Sequence, residues 1–535
     1  MQSSQDKRWY FWLAVVLVIL TTLPYLVGFS RQTDSLRFSG SFIGVEDHNS
    51  YIAKMRSGYN GEWLFRTPYT GIKQNGILTY FPYILIGKLA GGIELVGQFQ
   101  FFFQILRIGS IFLYVFSLMK FFSRFIHNRI TMRAAVVLCI FGGGLGWLYF
   151  MGVPGLWQNR LPLEFYSPDA FSFLSTLILP HIIFARAFML LSLDAWIFKQ
   201  SVTLGKLEIR YPFLCALFGY LVYLFQPINF SILLLINFFF ILYTLMKSFR
   251  QRGGIKFGEW VANQRSILLD IFIIFLLYLP LVGYNFYIMF FDPFVHTWSQ
   301  QNILTSPPIT DYLLAYLIWI GLGFVGLPKR SDLRNHSYLF WGLWILAGFG
   351  MVYLPITIQR RYIEGIWVVL VLLAIKGIER VFDLEKHRNL LRVGVILGSL
   401  SSFILLVGCF IQVGTAKSPV FVEKDRITLF QFLDKQFSNN DFVFAAHDLS
   451  NQIPAWTQLN TIVGHGPESI GERDILDVYQ KALEGQYTAD EFIDYLADKK
   501  VSAFVVDQQT IDEFPACLEI YQNDSYVVCS VNQNE

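Results

Sequence analysis

The sequence predicts an α-helical polytopic membrane protein of about eleven transmembrane helices, with an extracytoplasmic α/β domain at its C-terminus. Apolar residues make up 54% of the 535 residues and charged residues only 15%, against about 25% charged in an average soluble domain. The apolar residues form runs as long as a membrane span, and basic residues concentrate in alternate connections between the runs. This composition excludes disordered, collagenous and disulfide-rich chains, and it disfavours a soluble enzyme.

Each predicted span follows from the thickness of a bilayer. About 20 mostly apolar helical residues are needed to cross about 30 Å of hydrocarbon. The first run follows Lys7 and Arg8, but it is long for a secretory signal and lacks a small-x-small cleavage site, so we expect it to be retained. The predicted spans are residues 9–29, 98–119, 134–151, 180–198, 212–227, 229–246, 267–290, 309–327, 337–355, 364–382 and 393–413.

The distribution of Lys and Arg predicts the orientation of these spans. If the N-terminus is inside, the inner segments hold 21 basic residues, and the short outer loops hold only Arg160, Arg360 and Arg361. Cytoplasmic loops are enriched in Lys and Arg. The sequence therefore predicts a multi-pass protein of the cell membrane with a cytoplasmic N-terminus and, after eleven spans, an extracytoplasmic C-terminus.

Two long segments fall on the outer side. Residues 30–97 form a large first outer loop within the transmembrane domain, residues 1–413. The apolar stretch 77–90 in this loop is too short for a span and suits an interfacial or re-entrant segment. Residues 414–535 have soluble composition, and a possible disulfide joins Cys517 to Cys529 across a hairpin. Hydrophobic periodicity in this domain predicts helices near 427–436, 474–483 and 488–499 and strands near 442–446, 502–506 and 525–531.

The first outer loop contains two adjacent carboxylates, Glu46 and Asp47, before an amphipathic segment. Tyr51, Ile52 and Met55 recur at helical spacing in that segment. A carboxylate at this position can serve as a general base, and Asp47 can also cap the helix by accepting backbone N–H groups. The two roles are compatible, because a capping carboxylate is held in a fixed position.

A basic pair, Arg360 and Arg361, lies in the outer loop between the ninth and tenth spans, against the general charge bias. A guanidinium presents a planar fork that suits phosphate, and it stays charged in any environment. The favoured partner is a lipid-borne phosphate or pyrophosphate. An ion pair with Glu364 or with the first outer loop is the alternative.

Three more polar residues belong to predicted spans. The apolar run 171–198 would be about 42 Å long as one helix, so we expect the fourth span to begin at Pro180. His181 then lies near the outer surface and Arg186 deeper, where an ionisable group is a functional candidate. The two are about 140° apart around the helix, and a structural role for His181 is the alternative. Arg107 is a candidate substrate contact, or it extends to lipid headgroups.

Other motifs carry less weight. The glycine-rich segment 141–146 falls inside the third span, where close helix packing explains it better than phosphate binding. Gly464-His465-Gly466 is predicted to form a turn, and a ligand role for His465 or His447 is the less favoured alternative. No Walker motif, nucleophile elbow or Cys/His metal spacing is present, so no cofactor is predicted. A divalent metal at the two carboxylates stays an alternative.

These residues in this topology resemble the GT-C superfamily of membrane glycosyltransferases, which includes the protein O-mannosyltransferases and the bacterial lipid A aminoarabinose transferases. Members have an inside N-terminus and a catalytic carboxylate in a large first outer loop, where this chain has Glu46 and Asp47. Their loop continues through a proline-containing amphipathic helix to an arginine-containing second span, and residues 80–87 and 106–108 resemble these parts. Here the carboxylates read Glu-Asp rather than Asp-Glu.

The resemblance implies a glycosyltransferase that moves a sugar, with inversion, from a polyprenyl-phosphate donor to an acceptor hydroxyl at the outer face of the membrane. A carboxylate takes the hydroxyl proton, and the lipid phosphate leaves as a stable anion that needs positive charge rather than an acid. Asp47 is favoured over Glu46 as the base, because it is shorter and precedes the amphipathic run directly. Arg360 and Arg361 would bind the phosphate.

The expected partners are the polyprenyl-phosphate donor, membrane lipids and an acceptor of undefined class. A net charge of +3 does not indicate nucleic acid. One alternative is a non-enzymatic transporter of lipid-linked or small substrates, although the sequence lacks the repeats that many transporters show. A membrane scaffold or sensor that uses the outer domain is another alternative.

Overall fold

The structure is a computed structural model, and it describes residues 4–92, 94–204, 207–251, 254–327, 336–383, 386–514 and 517–531. The α-helices of these ranges are α1 Ser4–Ser30, α2 Val45–Tyr59, α3 Phe81–Gly87, α4 Leu95–Phe122, α5 Arg129–Phe141, α6 Trp147–Phe150, α7 Leu163–Tyr166, α8 Phe173–Ile178, α9 Pro180–Ile197, α10 Tyr211–Phe225, α11 Pro227–Arg250, α12 Phe257–Asn263, α13 Arg265–Phe291, α14 Pro293–Gln301, α15 Ile309–Gly326, α16 His336–Met351, α17 Ile366–Val381, α18 Arg388–Gly398, α19 Leu400–Thr415, α20 Lys424–Gln436, α21 His447–Trp456, α22 Glu472–Leu483 and α23 Ala489–Asp498.

The strands are fewer and shorter than the helices, so the chain is mostly helical. They are β1 Leu36–Phe38, β2 Val202–Leu204, β3 Leu207–Ile209, β4 Phe421–Glu423, β5 Phe442–Phe444, β6 Val501–Asp507, β7 Leu518–Gln522 and β8 Tyr526–Ser530. Short 3₁₀ helices cover Pro154–Trp157, Gln359–Ile363 and Gln508–Glu513.

Six of the described helices are long and apolar enough to cross a membrane, namely α1, α4, α9, α11, α13 and α15. Helices α18 and α19 are bent by 41° at one residue and add a seventh span if they act together. Helix α10 and the segment Trp341–Met351 of α16 are apolar but shorter. This set of helices is that of a multi-pass membrane protein. The count of eleven and the orientation stay predictions. Of the basic residues used for the orientation, those outside the described residues are Lys206, Arg252, Lys329, Arg330 and Arg334.

The predicted third span, 134–151, is wrong as a continuous helix. Helix α5 ends and only the four-residue α6 follows. A Cβ on Gly144 would lie 2.1 Å from the carbonyl oxygen of Ala315 in α15, so the backbone approaches α15 too closely for any side chain. The amides of Gly144 and Gly146 donate to Oε1 of Glu164 at 2.9 and 2.8 Å. The expected close packing is confirmed, but the glycine segment also binds a carboxylate.

The predicted start of the fourth span at Pro180 is confirmed. Helix α8 ends two residues earlier, and Pro180 is the first residue of α9, where its missing N–H costs no hydrogen bond. The predicted last span, 393–413, is divided between α18 and α19. The apolar stretch 77–90 contains only the seven-residue α3.

The chain divides into two compact units, which are described separately. The first unit comprises Met1–Thr21, Leu106–Phe286 and Ile303–Gly408. Its helices pack in pairs, with α9 against α10 and α15 against α17. Every residue of α17 from Ile366 to Ile375 is buried, which is expected of an apolar helix surrounded by other helices.

The second unit comprises Thr22–Ile105, Tyr287–Asn302 and Cys409–Glu535. It contains a four-stranded sheet in the order β5-β6-β8-β7, in which β5 and β6 are parallel and the other neighbours are antiparallel. Residues of α22 and α23 pack on one face of the sheet, and residues of α20 and α21 pack on the other. The suggested disulfide between Cys517 and Cys529 is present and lies across the β7–β8 hairpin.

The first outer loop belongs to this second unit. Strand β1 pairs antiparallel with β4, with Arg37 opposite Val422. Helix α2 packs against α3 and against α21, the helix that begins after β5. The sheet and its helices therefore position α2, which carries the predicted carboxylates.

Candidate active site

The two predicted carboxylates lie in the first turn of α2. The N-cap is Gly44, in the left-handed conformation with φ 59°, and no side chain caps the helix. The predicted capping role of Asp47 is therefore wrong, because Asp47 is the third residue of the helix rather than the residue before it. The side chains of Asp47 and Glu46 are 60% and 49% exposed.

Asp47 contacts a histidine from the C-terminal part of the chain. Its Oδ1 lies 3.3 Å from Nε2 of His465. The backbone N–H of His465 donates to Ser469 at 3.0 Å, and its ring stacks on Tyr69 at 5.6 Å between centroids. The imidazole is buried and held on several sides, so it fixes the direction of an exposed carboxylate.

Glu46 has a histidine partner of its own. Its Oε1 lies 3.6 Å from Nε2 of His447 and accepts a hydrogen bond from the N–H of Gly466 at 3.3 Å. Nδ1 of His447 lies 2.8 Å from Glu472. The hydrogen bonds to Glu46 and Glu472 raise the pKa of His447 to about 10, and the bond from His447 lowers the pKa of Glu46. Glu46 is thus held in an ion-pair network with His447 and Glu472.

A buried ion pair lies behind His465. Nδ1 of His465 is 3.7 Å from Oε1 of Glu468, which also pairs with Nζ of Lys54 at 2.7 Å. The hydroxyl of Thr67 donates to the other oxygen of Glu468 at 2.7 Å. Burial raises the pKa of Glu468, but the charges of Lys54 and His465 outweigh it and the net pKa is lowered. Likewise, burial lowers the pKa of His465, but Glu468 and Asp47 raise it overall.

The packing of α2 on α21 brings these groups together. Nδ2 of Asn49 donates to Oδ1 of Asn451 at 2.8 Å, and Nδ2 of Asn451 lies 3.3 Å from the carbonyl oxygen of Glu46. The hydroxyl of Tyr69 donates to the carbonyl of Asn451 at 3.0 Å. His447 is the first residue of α21, so the same contact that places α21 also places His447 beside Glu46.

His48, next to Asp47, takes no part in this cluster. It is buried edge-on against Phe103, and neither ring nitrogen has a hydrogen-bond partner among the described residues. Burial lowers its pKa to about 3, so the imidazole stays neutral. His48 therefore belongs to the core of the second unit.

The basic pair lies in the 3₁₀ helix of the first unit. The guanidinium of Arg360 lies 5.2 Å above the ring of Tyr166, and its buried Nε has no hydrogen-bond partner within the described ranges. The positive charges of Arg361 and Arg360 both interact electrostatically with the buried carboxyl of Asp169. The guanidinium of Arg360 is therefore held beside Tyr166 and near Asp169.

The suggested ion pair between the basic pair and Glu364 is wrong. Glu364 instead forms a two-pronged pair with Arg186, whose Nη2 lies 2.8 Å from Oε2. Nη1 of Arg186 also donates to Ser172 at 3.1 Å. The deep arginine predicted in the fourth span thus joins α9 to the start of α17. His181, one turn earlier in α9, is 5% exposed.

Arg107 does not extend to lipid headgroups, so that alternative is wrong. Its side chain is fully buried in α4, and Nη1 donates to the hydroxyl of Thr21 in α1 at 2.6 Å. A guanidinium buried among helices needs such a partner.

The structure assigns the predicted site residues to different units. Glu46 and Asp47 belong to the second unit, and the others belong to the first. Sequence reasoning gave little weight to the two histidines and did not identify Glu468 or Lys54. Within the described part of the chain, no group of three or more His, Cys, Asp and Glu side chains could hold a metal ion.

Solved structures of several other proteins have similar folds. ArnT from Cupriavidus metallidurans in the apo state matches with a TM-score of 0.50 and 12% identity, over 97% of this chain and 98% of ArnT. ArnT bound to undecaprenyl phosphate matches with a TM-score of 0.50 and 13% identity, over 99% of each chain. The mycobacterial arabinofuranosyltransferase AftD matches with a TM-score of 0.56 and 12% identity, over 99% of this chain and 40% of AftD. The Archaeoglobus fulgidus oligosaccharyltransferase matches with a TM-score of 0.51 and 13% identity, over 95% of this chain and 70% of the oligosaccharyltransferase.

These proteins are GT-C membrane glycosyltransferases, so this chain has the GT-C fold, which confirms the resemblance seen in the sequence. Neither the protein-family models nor the curated proteins give a match. A shared fold hosts different chemistries, so the fold alone does not define the activity.

Proposed function

We propose that this protein is a membrane glycosyltransferase that moves a sugar from a polyprenyl-phosphate donor to an acceptor hydroxyl. One observation carries the proposal. Two adjacent, half-exposed carboxylates open α2, and each has a histidine partner of its own. Acyl or phosphoryl transfer would need a nucleophile or a phosphate-binding loop, whereas hydroxyl activation needs one accessible and oriented carboxylate.

Asp47 is the proposed base. As the acceptor hydroxyl attacks the anomeric carbon, its proton passes to the carboxylate of Asp47 and its oxygen forms the new glycosidic bond. The bond from the anomeric carbon to the phosphate oxygen breaks, and the electron pair leaves with the lipid phosphate. Because attack and departure occur on opposite faces, the configuration inverts.

The environments of the two carboxylates favour Asp47 over Glu46. Oε1 of Glu46 already faces two donors, His447 and the N–H of Gly466. Asp47 contacts His465 through Oδ1, and its side chain is the more exposed of the two. We therefore assign to Glu46 the role of fixing the loop that carries His465.

His465 and Glu468 are proposed to position the base. Glu468, 1% exposed and paired with Lys54, holds negative charge behind the ring and favours the imidazolium. That imidazolium in turn favours the ionised, proton-accepting form of Asp47. These groups act through Asp47 and are positioning residues.

Arg360 and Arg361 are proposed to bind the donor phosphate. The unpartnered Nε of Arg360 and the fixed position of its guanidinium over Tyr166 support this role. ArnT, which shares the fold, was solved with undecaprenyl phosphate. His181 stays a proposed donor contact. Arg107 and Arg186 are proposed to support the helices, because Thr21 and Glu364 occupy their guanidinium groups.

We further propose that catalysis occurs outside the cytoplasm and without a metal. The proposed orientation rests on the 21 basic residues of the inner segments. Reporters fused after the C-terminus test it: a reporter that is active only in the cytoplasm would contradict the orientation. Activity that disappears with EDTA and returns with Mg²⁺ or Mn²⁺ would contradict the metal-free reaction.

The transfer itself is tested in proteoliposomes that contain the full chain and radiolabelled undecaprenyl-phosphate sugars, with mannose, glucose and arabinose tried in turn. We expect slow release of undecaprenyl phosphate, with water as the acceptor, and its loss in Asp47→Asn. Asp448→Asn, at an exposed carboxylate in the first turn of α21, is the matched control. Movement of labelled lipid across the bilayer without cleavage would support the transporter alternative and overturn the proposal.

A further inference from the structure

The second unit contains a polar cavity of about 550 Å³. This volume falls within the range of about 300–1,000 Å³ that is common for small-molecule sites. The wall consists of α2, the loop that follows it and the segments on either side of α21. The two carboxylates and two histidines of the candidate active site are not among its lining residues. The cationic and amide side chains of the wall include Arg56, Arg66, Lys73, Asn60, Gln458 and Asn460.

Two buried polar atoms of this wall lack a partner among the described residues. They are Nε of Arg56 and Oγ1 of Thr70, in residues that are 5% and 2% exposed. Arg56 uses only Nη2 in a hydrogen bond, to the carbonyl of Ala455 at 2.9 Å. Because proteins pair nearly all buried polar groups, such atoms on a cavity wall indicate a polar ligand.

The charge of the wall indicates that this ligand is acidic. Arg56, Arg66 and Lys73 face a single carboxylate, Glu62, which is paired with Arg66. The wall residues therefore carry two net positive charges, and Asp434, which is not a wall residue, acts electrostatically on that of Arg56. The amide side chains of the wall both donate and accept hydrogen bonds, as the hydroxyl groups of a sugar require.

The loop that forms one side of the cavity is held in a defined conformation. The side-chain amide of Gln74 donates to the carbonyl of Thr67 at 2.9 Å and accepts from its N–H at 2.8 Å. The carbonyl of Pro68 accepts from the N–H of Thr461 at 2.8 Å. Thr67 also donates to Glu468, the carboxylate behind His465. A preorganised wall lowers the entropy lost when a ligand binds.

We propose that this cavity binds an acidic saccharide. Resting on the function proposed above, we assign this saccharide to the acceptor. Arg56 and Asp47 lie on the same helix, nine residues and about 14 Å apart along its axis, so an oligosaccharide can span from one to the other. The cavity would then select the acceptor, while Asp47 activates its hydroxyl.

Direct binding tests the proposal without any donor. The full chain in detergent is titrated with trigalacturonic acid, with the neutral maltotriose and with inorganic phosphate, using isothermal calorimetry. We expect trigalacturonic acid to bind at least tenfold more tightly than either of the others. Equal binding of maltotriose would overturn the assignment of an acidic ligand. Equal binding of phosphate would overturn the assignment of a saccharide, because the cavity would then bind anions of any kind.

Variants locate the binding site. Lys73→Gln and Arg66→Gln, both at exposed positions of the wall, should weaken the binding of trigalacturonic acid about threefold to tenfold. Lys481→Gln removes an exposed charge of the same unit far from this wall in sequence and should change nothing. Thr70→Val keeps the shape but removes the hydroxyl, so it tests the buried wall even if Arg56→Gln fails to fold. Unchanged binding in Lys73→Gln and in Thr70→Val would overturn the site.

The outcome is separable from that of the proposed function. Asp47→Asn should bind trigalacturonic acid as the wild type does, since Asp47 is outside the wall. If the wild-type chain binds trigalacturonic acid but shows no transfer activity, the saccharide site is supported and the proposed glycosyltransferase function is rejected. In an active enzyme, Lys73→Gln should raise the KM for an acidic acceptor and leave kcat and the donor KM unchanged. A change in kcat alone would reject the acceptor role.

Discussion

Asp47 and His465 are 418 residues apart in the sequence, yet Oδ1 of one lies 3.3 Å from Nε2 of the other. The second nitrogen of His465 lies 3.7 Å from buried Glu468, so a carboxylate, an imidazole and a second carboxylate form a chain. Such a chain orients the exposed carboxylate at one end and stabilises its ionised form.

Asp47→Asn should lower sugar transfer by about a hundredfold or more, the usual contribution of a general base. Asn keeps the size and one oxygen of Asp but cannot take up the acceptor proton. Donor binding and the melting temperature should stay near those of the wild type. Single-turnover transfer measures the effect, with Asp448→Asn as the control.

Glu46→Gln should lower sugar transfer much less than Asp47→Asn does. We assign to Glu46 the role of fixing the loop that carries His465, and not that of accepting the proton. A dead Glu46→Gln beside an active Asp47→Asn would reverse the two roles. Normal transfer in both variants would reject the carboxylate base altogether.

His465→Gln should move the acidic limb of the pH–rate profile to higher pH. Gln can still donate a hydrogen bond to Asp47, but it lacks the positive charge that favours the ionised carboxylate. The profile of kcat/KM measures this shift. His296→Gln, at an exposed histidine of the same unit, should leave the profile in place. A uniform fall in rate without a shift would indicate only a structural role.

The sequence predicted the long apolar helices, such as α4 and α13, and most elements of residues 414–535, because their signals are local. A buried strand such as β6 is a short apolar run, and a span is a long one. The break at Gly144 depends on how near α15 lies and on Glu164, neither of which a hydropathy pattern contains. Helix α21 and the edge strand β7 were missed, because β7 reads Leu-Glu-Ile-Tyr-Gln with little alternation.

The candidate site could be predicted only in part for the same reason. Adjacent carboxylates such as Glu46 and Asp47 are visible in one short segment. Their partners His447 and His465 come from the far end of the chain, and no spacing rule connects them. The only sequence signals were the glycine-flanked turn at His465 and a histidine directly after a predicted strand. The pairing of Arg186 with Glu364 depends likewise on helix packing.

The pH dependence of stability should report the ion pairs of His447. Its pKa is about 10 in the folded protein and about 6.5 in an unfolded chain. Protonated His447 therefore stabilises the fold fully below about pH 6.5, and this contribution disappears as the pH rises through about 10. The difference in melting temperature between the wild type and His447→Gln should shrink across that window. His296→Gln should show a constant difference, and a constant difference for His447→Gln would contradict the ion-pair network.

Replacing Arg360 or Arg361 should weaken binding of the polyprenyl-phosphate donor. Loss of a charge-assisted hydrogen bond costs about 1.5–3 kcal/mol, so Arg→Gln should raise the donor Kd about tenfold or more. Arg360→Lys keeps the charge but loses the planar fork, so it should restore only part of the affinity. Binding of undecaprenyl phosphate measures this, with exposed Arg473→Gln as the control. Unchanged Kd in the double Gln variant would reject the phosphate role.

Gly144→Ala should destabilise the first unit. The added Cβ would lie 2.1 Å from the carbonyl oxygen of Ala315, and overpacking of this kind costs about 1–3 kcal/mol or more. Gly155→Ala, whose Cβ meets nothing within 4 Å, is the matched control, and thermal unfolding in detergent compares them. Because the clash is with a backbone atom, adding Ala315→Gly should not rescue Gly144→Ala. Rescue would show that the methyl group of Ala315, rather than the backbone of α15, sets the distance between the two segments.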